Sequence, residues 1–379
     1  MKYLILTASV LGLISCSTPV KHNTLRDVDF SGKRQVDSAV APSARTPDDI
    51  RKAYLEYLKH ATKDDKSRID ALHRLAKLEF DLSEARNKEA HGDATAIGSD
   101  EIYNASLDRS IELYQTLLRD HPAAENTDKT LYQLARAYDQ RGLNGKSLET
   151  LAQLAGRYPK SPHYVESQFR LGEHAFINGD YSRAEDIYTD ILVSRNNGLF
   201  REKARYKRGW ARYKQNYYRE AIDDFVGVIS ANDFDNLAQA TEAEKNSYEE
   251  YFRALGLSFI YMGGPEALNG YFKENPGFKH TYQAYFRVSD IYLTQQSYSD
   301  AVDTLDQFNK NYPQSGHLPE PTLKIIEIWA ASGFSNNFVL ALDDFYGAYQ
   351  PRSRYWASQE IRPGLRANVV TSLRNYIVQ

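Results

Sequence analysis

From residue 46 to the end of the chain, apolar residues recur every three or four positions, which places them on one side of an α-helix. Thr46-Pro47-Asp48-Asp49 opens the first helix, with a Thr N-cap, Pro at the first helical position and an acid three residues on. Leu72, Leu75, Ala76, Leu78 and Leu82 form the stripe of a second helix. Ser110, Tyr114, Leu117 and the terminating Pro122 mark its partner, with a polar insertion over about 91–100 between the two. Farther on, 323–331 and 338–349 predict another pair before Pro351. Leu365, Val369, Val370, Leu373, Tyr376 and Ile377 then make a last stripe with no second helix in the sequence to cover it. That stripe is expected to fold back on the preceding pair, to dock on a partner or to lead a longer array; left uncovered, it predicts self-association.

Between these ends a unit repeats. Leu134-Ala135, Tyr138, Gly142, Ser147, Leu151, Leu154 and Pro159 recur as Leu171-Gly172, Ala175, Gly179, Ala184, Tyr188 and Ile191. They recur again as Gly209, Asn216, Tyr218, Ala221 and Phe225, and as Ser289, Tyr292, Tyr298, Ala301, Leu305, Phe308 and Pro313. The leading small residues at 135, 172 and 209 are 37 apart. A degenerate copy surrounds Gly256, where Gly263-Gly264-Pro265 replaces the turn. A small residue at the eighth position lets the first helix of a pair approach the second, and a small residue twelve further on does the same from the other side. Bulky residues beyond fill the space between pairs, while Gly breaks them and Pro159 and Pro313 end the second helices.

This pattern resembles the tetratricopeptide repeat, stretched here from its usual 34 residues. The resemblance implies an all-α solenoid, a right-handed superhelix of antiparallel helix pairs, with six to seven pairs over 46–379. Each pair would bury its apolar face only by stacking on its neighbours. In such arrays the first helix of each pair lines the concave side. The matching positions are Tyr132, Arg136 and Asp139 in one repeat, Phe169, Glu173 and Phe176 in the next, and Tyr206, Trp210, Tyr213 and Lys214 in the third. Aromatic residues are therefore frequent where a partner-binding groove is expected, and Tyr and Trp are common anchors in interfaces. Several of these rings have an alternative place between helices, Phe169 and Phe176 above all.

Composition narrows the function. The 47 Lys+Arg against 50 Asp+Glu give a net charge of −3, too balanced for a nucleic-acid binder. One Cys excludes a disulfide framework and a Cys-based zinc site within the chain. Gly145-Lys146-Ser147 lacks the Gly of a phosphate loop, since Gln140 stands there, and 131–138 reads as helix rather than strand. The nine His are scattered, and neither a His-Glu-x-x-His nor a Gly-x-Ser-x-Gly motif occurs. The acid pairs Asp223-Asp224 and Glu249-Glu250 are expected on solvated helix faces. These features predict a protein that is not an enzyme, with neither cofactor nor metal.

The single Cys has a telling position. Lys2 precedes an apolar run from Tyr3 to Ile14, too short at about a dozen residues for the roughly 20 needed to span a bilayer. Leu13-Ile14-Ser15-Cys16 resembles the bacterial lipobox, which implies a signal peptide over 1–15 and lipidation of Cys16. An ordinary signal peptide with an incidental Cys is the alternative. Residues 16–45 show no helical or strand period and read as a lipidated flexible tether, with a reach of roughly 30 Å, or as an N-terminus of no particular role. Ser17 after the Cys implies the outer membrane in families with this box, facing the periplasm, with the inner membrane open.

The order of Ala71-Leu72-His73-Arg74-Leu75-Ala76, Arg157-Tyr158-Pro159-Lys160-Ser161, Leu171-Gly172-Glu173 and Lys207 to Trp210 resembles bacterial envelope lipoproteins rich in tetratricopeptide repeats. Some accompany TolQ- or ExbB-type proton channels, including those that power gliding motility. A looser likeness is to the repeat lipoprotein of the outer-membrane β-barrel assembly machine and to the Tol–Pal-associated repeat protein. The resemblance implies a membrane-anchored scaffold or adaptor that binds other envelope proteins through the concave groove. A cell-wall polymer binder or processing protein that uses the same aromatic groove is the alternative, and a purely architectural spacer is a third.

Overall fold

The computed structural model describes residues 46–378 apart from 63–65, 93–98, 195–197, 233, 235–238 and 359–363. Side chains are described outside 86–92, 99–102 and 377–378. The leader over 1–15, Cys16 and the segment to 45 lie outside the described residues. Contacts within the chain separate residues 1–53 from 54–379. In the first unit, Thr46 caps its helix as the sequence predicts. Its Oγ accepts from the Asp49 backbone N–H at 3.2 Å, and its own N–H donates to the Asp49 carboxylate at 3.2 Å.

Every regular element among the described residues is helical, mostly of about four turns. After α1 (Pro47–His60) come the pairs α2 (Lys66–Gly92) with α3 (Ser99–Asp120), α4 (Thr127–Gln140) with α5 (Asn144–Arg157) and α6 (Tyr164–Ile177) with α7 (Tyr181–Val193). A short 3₁₀ turn (Gly198–Phe200) leads into α8 (Arg201–Lys214), paired with α9 (Tyr218–Ala231). There follow α10 (Glu242–Met262) with α11 (Pro265–Glu274), α12 (Thr281–Thr294) with α13 (Tyr298–Asn311) and α14 (Pro319–Ser332) with α15 (Ser335–Tyr349). The chain ends in a single turn, α16 (Tyr355–Ser358), and α17 (Leu365–Val378). The polar insertion expected near 91–100 is partly absorbed into the helices, since α2 runs to Gly92 and α3 starts at Ser99.

One turn joins four of the pairs. At Gly142, Gly179, Asn216 and Gln296 the backbone is left-handed, with φ of 75°, 79°, 66° and 59°. In each case the next residue's N–H returns to a carbonyl near the helix end: Leu143 to Tyr138, Asp180 to Ala175, Tyr217 to Arg212 and Ser297 to Tyr292. The small eighth residue then meets its bulky partner. A Cβ on Gly172 would stand 2.8 Å from the Tyr188 ring, and one on Gly209 2.7 Å from the Phe225 ring. Ser289 uses the same position differently, its Oγ donating to the Ala301 carbonyl at 2.9 Å.

One expectation needs correction. Asp224 is not on a solvated face: it is 3 % exposed and clamped by Arg208 (2.6 and 2.9 Å) and Arg212 (2.9 Å), while Arg212 also reaches Glu185 at 2.8 Å. Its neighbour Asp223 accepts from the Tyr271 hydroxyl. Of the alternatives stated for the C-terminal stripe, the structure shows the fold-back on the preceding pair. Leu365, Val369 and Leu373 are buried in the largest apolar cluster, against α14 and α15, and Tyr376 meets Phe338 edge-on. The ground for self-association through that stripe is thereby removed.

Candidate functional site

The repeat stacks its first helices side by side, and their outward face carries the residues named from the sequence. Most of them join one first helix to the next. Between α2 and α4, Arg136 and Gln140 donate to Glu84 at 3.1 and 3.0 Å, with the Arg136 guanidinium over Phe80. Between α4 and α6, the Tyr132 hydroxyl donates to Glu166 at 2.8 Å and Asp139 pairs with Arg170 at 2.5 Å. Tyr132 also stacks on His163, with centroids 4.0 Å apart. Burial, and then the Glu166 carboxylate, push the Tyr132 hydroxyl up to about 12, so it remains a donor.

The rungs continue along the array. Glu173 on α6 accepts from Lys207 on α8 at 2.9 Å and from the Tyr188 hydroxyl at 2.5 Å. Tyr206 on α8 donates to Glu250 on α10 at 2.8 Å, and Tyr251 on α10 donates to Glu202 on α8 at 2.6 Å. Glu249 on α10 pairs with Arg287 on α12, and Asp290 on α12 lies 3.9 Å from Lys324 on α14. Charges on this face are thus largely neutralised by neighbours about one repeat away.

The named aromatic rings divide accordingly. Tyr206 is 9 % exposed, its ring against Phe225 and Tyr251, so only its hydroxyl reaches the face. Phe169 packs on Tyr188 and Phe200, and Phe176 meets Tyr181 edge-on with Lys207 over its ring. Trp210 is half-buried, edge-on to Tyr206, Tyr213 and Phe225. Tyr213 contacts Tyr218 and Tyr261 at centroid distances of 5.6 and 5.7 Å, and Tyr218 stacks on Tyr261 at 5.6 Å. Burial, and then Tyr261, push the Tyr213 hydroxyl up to about 12. Lys214 is exposed.

Sequence reasoning missed Tyr261, which is 60 % exposed, and Arg253, whose charge acts on the Tyr213 hydroxyl. Both belong to the degenerate repeat. Gly256, taken as its eighth residue, puts Arg253 at the fifth position and Tyr261 at the thirteenth, so the register was available. A separate cleft of about 300 Å³ opens between α2, the end of α3 and the start of α4, lined by Ile69, Leu117 and Leu118. His73 and His121 also line it, and the Nε2 of each is buried with no hydrogen-bond partner among the described residues. Among the described residues, no group of three or more His, Cys, Asp and Glu is placed to hold a metal. No helix there is long and apolar enough to cross a membrane.

A tetratricopeptide repeat family model matches residues 132–198, and a second tetratricopeptide repeat model matches 283–315. The matched segments cover α4 to α7 and most of α12 and α13. Together with the helix pairing, they define the chain's fold as an all-α tetratricopeptide-repeat solenoid. The solved structures it is similar to include the MamA protein, at 16 % identity over 62 % of this chain and 94 % of that one, with a TM-score of 0.35. Another is the C-terminal part of a repeat-containing protein from Cytophaga hutchinsonii, at 13 % identity over 82 % and 99 %, with a TM-score of 0.35. A third is a tetratricopeptide repeat protein from Parabacteroides merdae, at 13 % identity over 77 % and 98 %, with a TM-score of 0.34. No curated protein matches the chain.

Proposed function

We propose that this protein is a non-enzymatic scaffold of the bacterial cell envelope, held to a membrane by lipid on Cys16. It binds a segment of another envelope protein on the first-helix face, as part of an assembly, motility or proton-channel-linked complex. The observation that carries the binding reading is the aromatic cluster of Trp210, Tyr213, Tyr218 and Tyr261. Elsewhere the first-helix residues are spent on rungs between repeats, but here Tyr261 is left largely uncovered beside rings already fixed by packing. Such pre-placed rings give contact area with little further loss of side-chain entropy.

Anchoring rests on the lipobox-like quartet before Cys16, and residence in the outer membrane rests on Ser17. Two measurements test the whole. A photo-crosslinking residue at Tyr261 is expected to trap a discrete protein in intact cells, while the same residue at exposed Glu149 on α5 traps none; equal adducts, or none at 261, would refute the face. Labelled palmitate is expected in the wild type and absent from Cys16→Ser. Label in neither would remove the anchor.

A further inference from the structure

The face at α8 and α10 differs in charge from the rest of the molecule. Lys203, Lys207, Trp210 and Lys214 are spaced i, i+4, i+7 and i+11 along α8, which places them in one stripe. Arg253, Leu257 and Tyr261 make the adjoining stripe on α10. The acids of this region are already engaged: Glu173 by Lys207, Glu250 by Tyr206, Glu202 by Tyr251 and Glu249 by Arg287. Lys203, Lys214 and Arg253 are exposed and make no ion pair or hydrogen bond among the described residues. Seven of the fourteen residues of α8 are Lys or Arg against the single acid Glu202, in a chain whose net charge is −3.

Of those seven, Arg208 and Arg212 are consumed by Asp224 and Lys207 by Glu173. Arg201 and Arg205 turn toward Gly227 on α9, which leaves Lys203 and Lys214 as the unengaged α8 cations beside α10. Lys203 and Lys214 share a stripe with Trp210, and Arg253 shares the adjoining one with Tyr261, so a segment laid along both stripes meets rings that accept apolar side chains and cations that accept carboxylates. We infer that the segment seated here is acidic: an extended stretch of a partner protein whose Asp and Glu side chains meet Lys203, Lys214 and Arg253, with an apolar side chain against Trp210 and Tyr261. This deepens the proposed function and rests on it. Complementary charge of this kind selects among partners and raises the rate of encounter.

The test begins with the adduct trapped from position 261 in cells by the full chain. The crosslinked peptide is mapped by mass spectrometry, resynthesised and titrated against the purified protein. An acidic peptide is expected, bound about tenfold more weakly by Lys203→Glu/Lys214→Glu/Arg253→Glu and progressively more weakly as salt rises from about 0.05 to 0.5 M. The neutral set Lys203→Gln/Lys214→Gln/Arg253→Gln is expected to fall between, with helical circular dichroism unchanged in both. A neutral or basic peptide, or an affinity indifferent to charge reversal, overturns the inference and leaves the binding face standing. No adduct at 261 overturns both.

Discussion

At the scale of single residues, the repeat is held by what two positions cannot carry. Gly209 lies so close to the fully buried Phe225 that a methyl group would force the ring to move. Gly209→Ala is expected to cost about 1–3 kcal/mol through overpacking. Gly156→Ala, on the open side of α5 with nothing within 4 Å, is expected to be neutral or stabilising by up to about 1 kcal/mol. Urea midpoints for the two variants should therefore move apart, and an equal gain would mean that helix propensity rather than contact governs both. The turn residue behaves oppositely. Gln296 holds a φ of 59° where the equivalent turns use Gly142 and Gly179, a strain that side-chain-bearing residues resist. Gln296→Gly is expected to stabilise by up to about 1 kcal/mol, read as a higher melting temperature, because relief of strain outweighs the added freedom of the unfolded chain.

At the scale of helices, a buried charged cluster ties α8 to α9. Removing Asp224 leaves Arg208 and Arg212 half-desolvated and opposed. Asp224→Ala is expected to cost about 3–5 kcal/mol, and Asp223→Ala, whose carboxylate is exposed, much less. The contrast is measurable by chemical denaturation. It also shows what the sequence conceals. The pairing of small and bulky positions was readable because packing imposes fixed spacings within one repeat. The fate of Asp224 was not, because its neighbour is the same residue type and only the phase of α9 separates buried from exposed. The rungs were hidden for a different reason: their partners lie 31 to 56 residues apart, as in Asp139 with Arg170 and Glu84 with Gln140. The start of α10 was legible but unread. Thr241 and Glu244 form a reciprocal capping box there.

At the scale of the whole chain, α17 covers an apolar face of the pair before it. Because Val369 and Leu373 are inserted among apolar residues of α14 and α15, Val369→Asp/Leu373→Asp is expected to release α17 and uncover the face beneath it. Loss of helical signal beyond that of α17 alone, together with association seen by sedimentation, is the expected result. An unchanged sedimentation coefficient and melting curve would show that α17 contributes little. The sequence could place this stripe on a helix without saying what covered it, since its cover comes from side chains on two elements with a different spacing.

The rungs between first helices have a mechanical consequence. Each joins one hairpin to the next and none reaches farther, so tension applied at the two ends passes through them in series. Stretched slowly, such a chain is expected to lengthen in increments of roughly 13 nm, the extended span of one 37-residue unit. Because many of the links are ionic, the force at each increment is expected to fall as salt is added.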